Sequence, residues 1–205
     1  MARHTPEEAE QTRQQLLTTG LELFSEQGIE ATTLKQIAQA AGVTHGALYW
    51  HFRNRADLLR HIHHGWMLPF ESVWLEQCQA VQQDALSALR FYLLGVLEGF
   101  ERDPRACALY RVFYQPGILC RDLQPLAAAL EENRALWRDH LRHFLKQARK
   151  QKQLKKKADP ARLAFILQQA LKGLLHEWLR TRGGFSLREQ GEQMVTLLLA
   201  GLPHK

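Results

Sequence analysis

Cysteine is scarce in this chain of 205 residues: Cys78, Cys107 and Cys120 are odd in number, widely spaced and without a CxxC pair. That excludes a disulfide framework and the usual cysteine zinc sites, and it fits a reducing compartment. Long apolar runs are missing too. The N-terminus Met-Ala-Arg-His-Thr-Pro has no leader-like apolar stretch, and Leu197 to Ala200 is far too short to span a bilayer, so the protein is expected in the cytoplasm, off the membrane. Signatures of catalysis are lacking as well: there is no phosphate loop, nucleophile elbow or HExxH, so neither an enzyme nor a cofactor is expected. Of His61, His63 and His64 only the first and last share a helical face, which is too little for a metal site. Cys107 and Cys120 read as small buried apolar residues rather than a redox pair. No segment alternates as a strand.

What is present is apolar bulk, 45% of the residues, and a formal net charge of +6. The charge is unevenly spread. Residues 1–55 hold five Lys or Arg against six Glu, a formal −1, whereas residues 138–157 hold Arg138, Arg142, Lys146, Arg149, Lys150, Lys152, Lys155, Lys156 and Lys157 against Asp139 alone. This run reads first as a solvated helix end, where cations suit the negative pole of the helix, and second as an anion site.

Helix signals recur along the whole chain. Thr5-Pro6-Glu7-Glu8, Thr33-Leu34-Lys35-Gln36 and Ser186-Leu187-Arg188-Glu189 are capping boxes; Asp103-Pro104 and Asp159-Pro160 place a cap before a first-turn proline; Thr44 and Asn54 suit two more starts. The expectation is an all-α fold of about nine helices: a three-helix N-terminal domain over 1–54 and a larger helical domain over 55–205. Gly183-Gly184 and Gln115-Pro116-Gly117 read as connections. A helix from Arg55 is expected to run past Pro69 and to be kinked there.

Within Leu34–Phe52, Leu34, Ile37, Ala38 and Ala41 point inward, Gly42 permits a tight turn, and Val43, Ala47, Leu48 and Phe52 return to the same core. This is the pattern of a helix-turn-helix. The outward face of its second helix carries Thr44, His45, Tyr49, Trp50 and His51, an unusual density of aromatic and imidazole groups for a surface helix. Hydroxyls of Thr32, Thr33, Thr44 and Tyr49, with helix N-terminal amides, can hold phosphates without formal positive charge.

Residues 8–59, above all Gly42-Val43-Thr44-His45-Gly46-Ala47-Leu48-Tyr49-Trp50-His51-Phe52, closely resemble the TetR family of transcriptional regulators, particularly its repressors of multidrug efflux pumps. A weaker likeness extends through Gly173-Leu174-Leu175, Trp178 and Phe185-Ser186-Leu187. The resemblance implies a homodimeric repressor that leaves a palindromic operator when a small hydrophobic compound fills its C-terminal domain. Alternatives are an activator of the same fold and a nonspecific architectural DNA protein using the Lys-rich run. By position, Thr44, Tyr49 and His51 look like phosphate or groove contacts, Thr33 and Lys35 like backbone contacts, and Trp50 and Phe52 partly like packing. Thr32, Gly46 and Arg53 complete the expected DNA surface. His45 stands where that branch usually has arginine, which changes the expected base preference and can make binding depend on pH.

Trp66, Phe70, Trp74, Phe91, Tyr110, Phe113, Tyr114 and Trp137 are individually core residues, but as a set they suit a pocket for a bulky apolar inducer. Glu98, with Glu71 or Glu101, is placed to face a cationic one. The stretches 160–181 and 187–200 are apolar on more than one stripe. Leu163, Leu167, Leu171, Leu174, Trp178, Met194 and Leu198 are therefore expected in a four-helix dimer interface, with Ala170 and Gly173 allowing close approach.

Overall fold

The structure is a computed structural model that describes residues 5–115 and 120–203. Pro116 and Gly117, part of one expected connection, lie outside the described residues. The helices are α1 (Pro6–Gln27), α2 (Leu34–Ala40), α3 (His45–His51), α4 (Arg55–Gly65), α5 (Pro69–Gln77), α6 (Ala85–Arg102), α7 (Pro104–Phe113), α8 (Ala127–Lys150), α9 (Pro160–Arg180) and α10 (Leu187–Ala200). Two short 3-10 turns, Ala80–Gln82 and Arg121–Leu126, join them, and no strand occurs among the described residues.

The helices start where their caps demand. Thr5, Thr33, Thr44, Asn54, Asp84, Asp159 and Ser186 each accept a first-turn backbone N–H, removing one of the orphan donors a helix start leaves. Asp103 does the same for α7 through the Arg105 N–H at 2.8 Å.

Pro69 differs from expectation. Its ring disfavours helical geometry at the preceding residue, and Leu68 is extended at φ −87°, ψ 157°. The chain therefore leaves α4 at Trp66 and uses Pro69 as the first residue of α5, with the Glu71 carboxylate accepting the Leu68 N–H at 2.9 Å. Proline starts a new helix here rather than kinking an old one.

The chain falls into two compact units, one of residues 1–66 with 108–130 and one of 67–107 with 131–205, so α7 and α8 each run from one into the other. In the first, Leu16, Leu17, Leu21 and Phe24 of α1 pack with Ile37, Leu48, Phe52, Leu58, Leu59 and Ile62, all essentially inaccessible. Arg55 ties this unit together. Its guanidinium donates to Asp122 at 2.6 Å and to the carbonyls of Thr32 and Glu30 at 3.0 and 3.4 Å.

In the second unit α6 is the central element, with α5 and α10 against it. Tyr92, Leu93, Val96, Leu97 and Phe100 are buried along it. At Gly191 the approach of α10 leaves no room for a side chain: a Cβ would sit 2.5 Å from Leu97 Cδ1.

Candidate nucleic-acid interface and ligand cluster

The proposed DNA-reading face rests on a rigid turn. α2 ends as the Val43 N–H reaches back to the Ala38 carbonyl at 3.0 Å and the Gly42 N–H to Gln39 at 3.1 Å, with Gly42 at φ 67°. That left-handed conformation is the one glycine adopts without penalty. Gln15 of α1 adds a strut, donating its side-chain N–H to the Ala41 carbonyl at 2.9 Å. A contact across 26 residues has no local sequence signature, which is why the motif alone did not reveal it.

With Thr44 accepting the Ala47 N–H at 3.1 Å, α3 is fixed in phase. Leu48 and Phe52 are at 0% exposure, and Tyr49 and Trp50, one residue on from Leu48, are at 49% and 73%. Thr33, Lys35, Thr44, His45, Gly46 and Arg53 are exposed as well. His45 and Tyr49 meet edge to face at 4.7 Å, so they present one aromatic surface. Between α1 and α3 lies a cleft of 530 Å³ lined by Ala9, Thr12, Gly42, Val43, Thr44, Ala47, Trp50 and His51. Burial, with the neighbouring Arg13, holds the His51 imidazole below its ordinary range, so it is neutral at pH 7.

Thr32 does not belong to this face. Its side chain is buried at 0% exposure and donates to the Gly28 carbonyl at 2.8 Å. It closes the α1–α2 loop, and Phe52 is core rather than partly so.

The expected ligand residues divide into groups. Phe70 stacks on Trp137 at 5.2 Å and 11°, and Trp74 stacks on His140 at 4.3 Å and 6°. The Tyr92 hydroxyl donates to the Phe70 carbonyl at 3.0 Å beneath them. The Trp137 indole N–H is buried with no acceptor among the described residues, and the Lys172 ammonium lies 6.0 Å from the same ring. Burial, with Arg134 and Arg138 nearby, lowers the pKa of Lys172, and burial lowers that of His140.

In the other unit, Tyr110 and Tyr114 stack at 6.0 Å, and His63 meets Phe113 at 5.3 Å and the Tyr114 hydroxyl at 3.1 Å. Trp66, half-buried, is the last residue of that unit's first segment. Phe91 is 62% exposed and leaves the cluster, because it sits on the solvent side of α6 opposite the buried stripe.

Each of the carboxylates expected to meet a cation has a partner within the chain, and only Glu71 lies close enough to act on Tyr92 of the cluster. Glu98 pairs with Arg102 at 2.6 Å, Glu101 accepts the Leu187 N–H at 2.9 Å, and Glu71 caps α5.

On α9, Leu167 and Leu171 are 1% exposed within their own chain, so neither can reach a partner. They pack inward with Ala164, Leu175 and Leu179 at helical spacing. Leu163, Leu174, Trp178, Met194 and Leu198 are half-buried. The groups left bare are Phe165 at 50%, Ile166 at 46% and Leu197 at 74%, with Gly173 facing open space.

No described helix is long and apolar enough to cross a membrane. Residues 16–62 match the family model of bacterial regulatory proteins, tetR family, and residues 84–203 that of the C-terminal region of MAATS-type transcriptional repressors. The chain is 34% identical to the HTH-type transcriptional regulator AcrR of Shigella flexneri, over 97% of this chain and 93% of that one. To the HTH-type transcriptional repressor BepR of Brucella suis it is 30% identical, over 98% and 96%. Among solved structures it is similar to NalD, the secondary repressor of the MexAB-OprM multidrug efflux pump in Pseudomonas aeruginosa, with a TM-score of 0.75, 25% identity, and coverage of 96% of this chain and 98% of that one.

Proposed function

From the premise that the chain belongs to the tetR family of bacterial regulatory proteins, we propose a homodimeric repressor of multidrug efflux genes that holds a palindromic operator and releases it to an aromatic inducer. It is a transcription factor and not an enzyme. The observation that carries the reading is the outward face of α3, where His45, Tyr49 and Trp50 stand exposed on a helix anchored by buried Leu48. Efflux genes as the target follow from the named roles of the relatives, and repression rather than activation from the match over 84–203.

Dimerisation is supported by Phe165, Ile166 and Leu197, which bare apolar area on two neighbouring helices. The chemistry beside Phe70, Trp74 and Trp137 favours an inducer that brings a hydrogen-bond acceptor or a negative charge. The indole N–H lacks an acceptor among the described residues, and Lys172 is a partly desolvated cation beside the same ring.

Footprinting of the DNA upstream of its own and adjacent genes tests the central claim. A repressor protects one inverted repeat and prefers it to random duplex by on the order of 10³ or more at physiological salt. Equal affinity for both duplexes would favour an architectural DNA protein.

A further inference from the structure

The basic run that ends α8 and continues into the turn after it belongs neither to α3 nor to the aromatic cluster. Lys146, Arg149, Lys150, Lys152, Lys155 and Lys156 line, with Leu154, a cavity of 810 Å³ in the unit that lacks the helix-turn-helix. Among the described residues no carboxylate lines it. Among the described residues none of the six cations is in an ion pair.

A solvated helix end explains lysines in the last turn, but not the fixed backbone found here. The helix closes with the Gln153 N–H on the Ala148 carbonyl at 2.9 Å and the Lys152 N–H on Arg149 at 3.1 Å. Lys152 itself is left-handed, at φ 62°, in the place where glycine is usual. On either side of it a glutamine is bonded to the start of α6. Gln151 accepts the Ala85 N–H at 2.9 Å and donates to the Val81 carbonyl at 2.8 Å. Gln153 accepts the Leu86 N–H at 3.2 Å and donates to Asp84 at 2.7 Å. Beyond the turn, the Lys155 N–H is held by the Pro203 carbonyl at 2.8 Å, and Arg149 reaches the Ala158 carbonyl at 3.2 Å. Lys155 and Lys156 are thereby returned to the cavity that Lys146 and Lys150 line.

Six like charges kept together by a pinned backbone repel one another and are preorganised for a compact anion. Five are lysines, point charges that grip phosphate without planar recognition. Among the described residues no aromatic ring lines the cavity for a base to stack on. Its volume is that of a small-molecule site. We propose that this cavity binds an oligophosphate, either a free condensed phosphate or the polyphosphate tail of a nucleotide.

Calorimetric titration of sodium tripolyphosphate and of ATP into the full-length protein tests this, with sodium chloride varied. One ligand per chain is expected, with affinity falling steeply as salt rises. The exposed-site variant K150Q/K155Q/K156Q should lose about thirtyfold or more in affinity while keeping its helicity and its DNA binding, since none of the three belongs to the unit that holds α3. K146Q/K150Q provides a second, milder reading of the same loss. Tighter binding of tripolyphosphate assigns a free condensed phosphate, and equal or tighter binding of ATP the nucleotide tail. No heat from either compound at low salt, or unchanged affinity in both variants, would overturn the proposal. So would a thirtyfold loss of random-duplex binding in the triple variant, which would make the patch a DNA surface.

Discussion

Leu48 and Tyr49 are chain neighbours with opposite environments, one at 0% and the other at 49% exposure. Tyr49→Ala should abolish operator binding in a gel-shift titration while thermal melting stays nearly unchanged; a large loss of folded protein would remove Tyr49 from the DNA face. Leu48→Ala leaves a cavity between α1 and α3 and is expected to cost about 2–5 kcal/mol, unfolding the small unit first. His63 gives a pH dependence. Burial, with His64 beside it, pushes its pKa down to about 4 from 6.5, so the unfolded chain binds the proton more readily than the folded one. The contribution of neutral His63 to stability is therefore fully present above pH 6.5 and is lost as the pH falls from there towards 4. Urea denaturation at stepped pH should show this decline, and His63→Gln should flatten it in part, since burial also lowers His51 and His140.

Element by element, the local signals were legible and the nonlocal ones were not. Caps at Thr5, Thr33, Thr44, Asn54, Asp159 and Ser186 act within one turn, so sequence placed those helix starts correctly. Gly42 and the alternation of inward and outward residues on α3 were equally local, and they separated the exposed residues of α3 from the buried ones. Pro69 was ambiguous because proline suits both a kink and a first turn, and only the extended Leu68 decides. Thr32, Leu167 and Leu171 were misplaced because their partners lie on other elements, and an apolar stripe does not say which neighbour covers it. Glycine contacts separate the two helices of the expected interface. Gly191→Ala forces a methyl group against Leu97 and should destabilise the monomer by about 1–3 kcal/mol in urea titration. Gly173→Ala meets open space and should leave the monomer no less stable. In sedimentation it should weaken the dimer if α9 packs closely on its partner; an unchanged dimer would argue against close approach at that position.

At the scale of the whole molecule the requirement is that an inducer and an operator compete through the protein. A candidate route runs partly along the chain and partly through an ion pair. α8 carries Trp137 and His140 of the aromatic cluster, and the 3-10 turn just before it carries Asp122. Asp122 holds Arg55, and Arg55 holds the Thr32 and Glu30 carbonyls at the entrance to α2. A shift of α8 on ligand binding would thus pull on the loop that leads into the helix-turn-helix. A palindromic operator of the proposed kind could not follow such a shift, because half-sites of that kind lie about one helical turn, roughly 34–36 Å, apart. Linkage sets the magnitude: an inducer that weakens operator binding a hundredfold must itself bind the operator complex a hundredfold more weakly, a coupling of about 2.7 kcal/mol. Titration of an aromatic carboxylate such as 1-naphthoate into free protein and into the operator complex measures that coupling, with a cationic dye as the contrasting probe. The carboxylate should bind the free protein more tightly than the dye, and more tightly than it binds the complex. Arg55→Ala should preserve both binding events and shrink the difference between the two titrations. Equal affinities in the wild type would refute release by that compound, and an undiminished difference in Arg55→Ala would place the coupling outside the Asp122–Arg55 link.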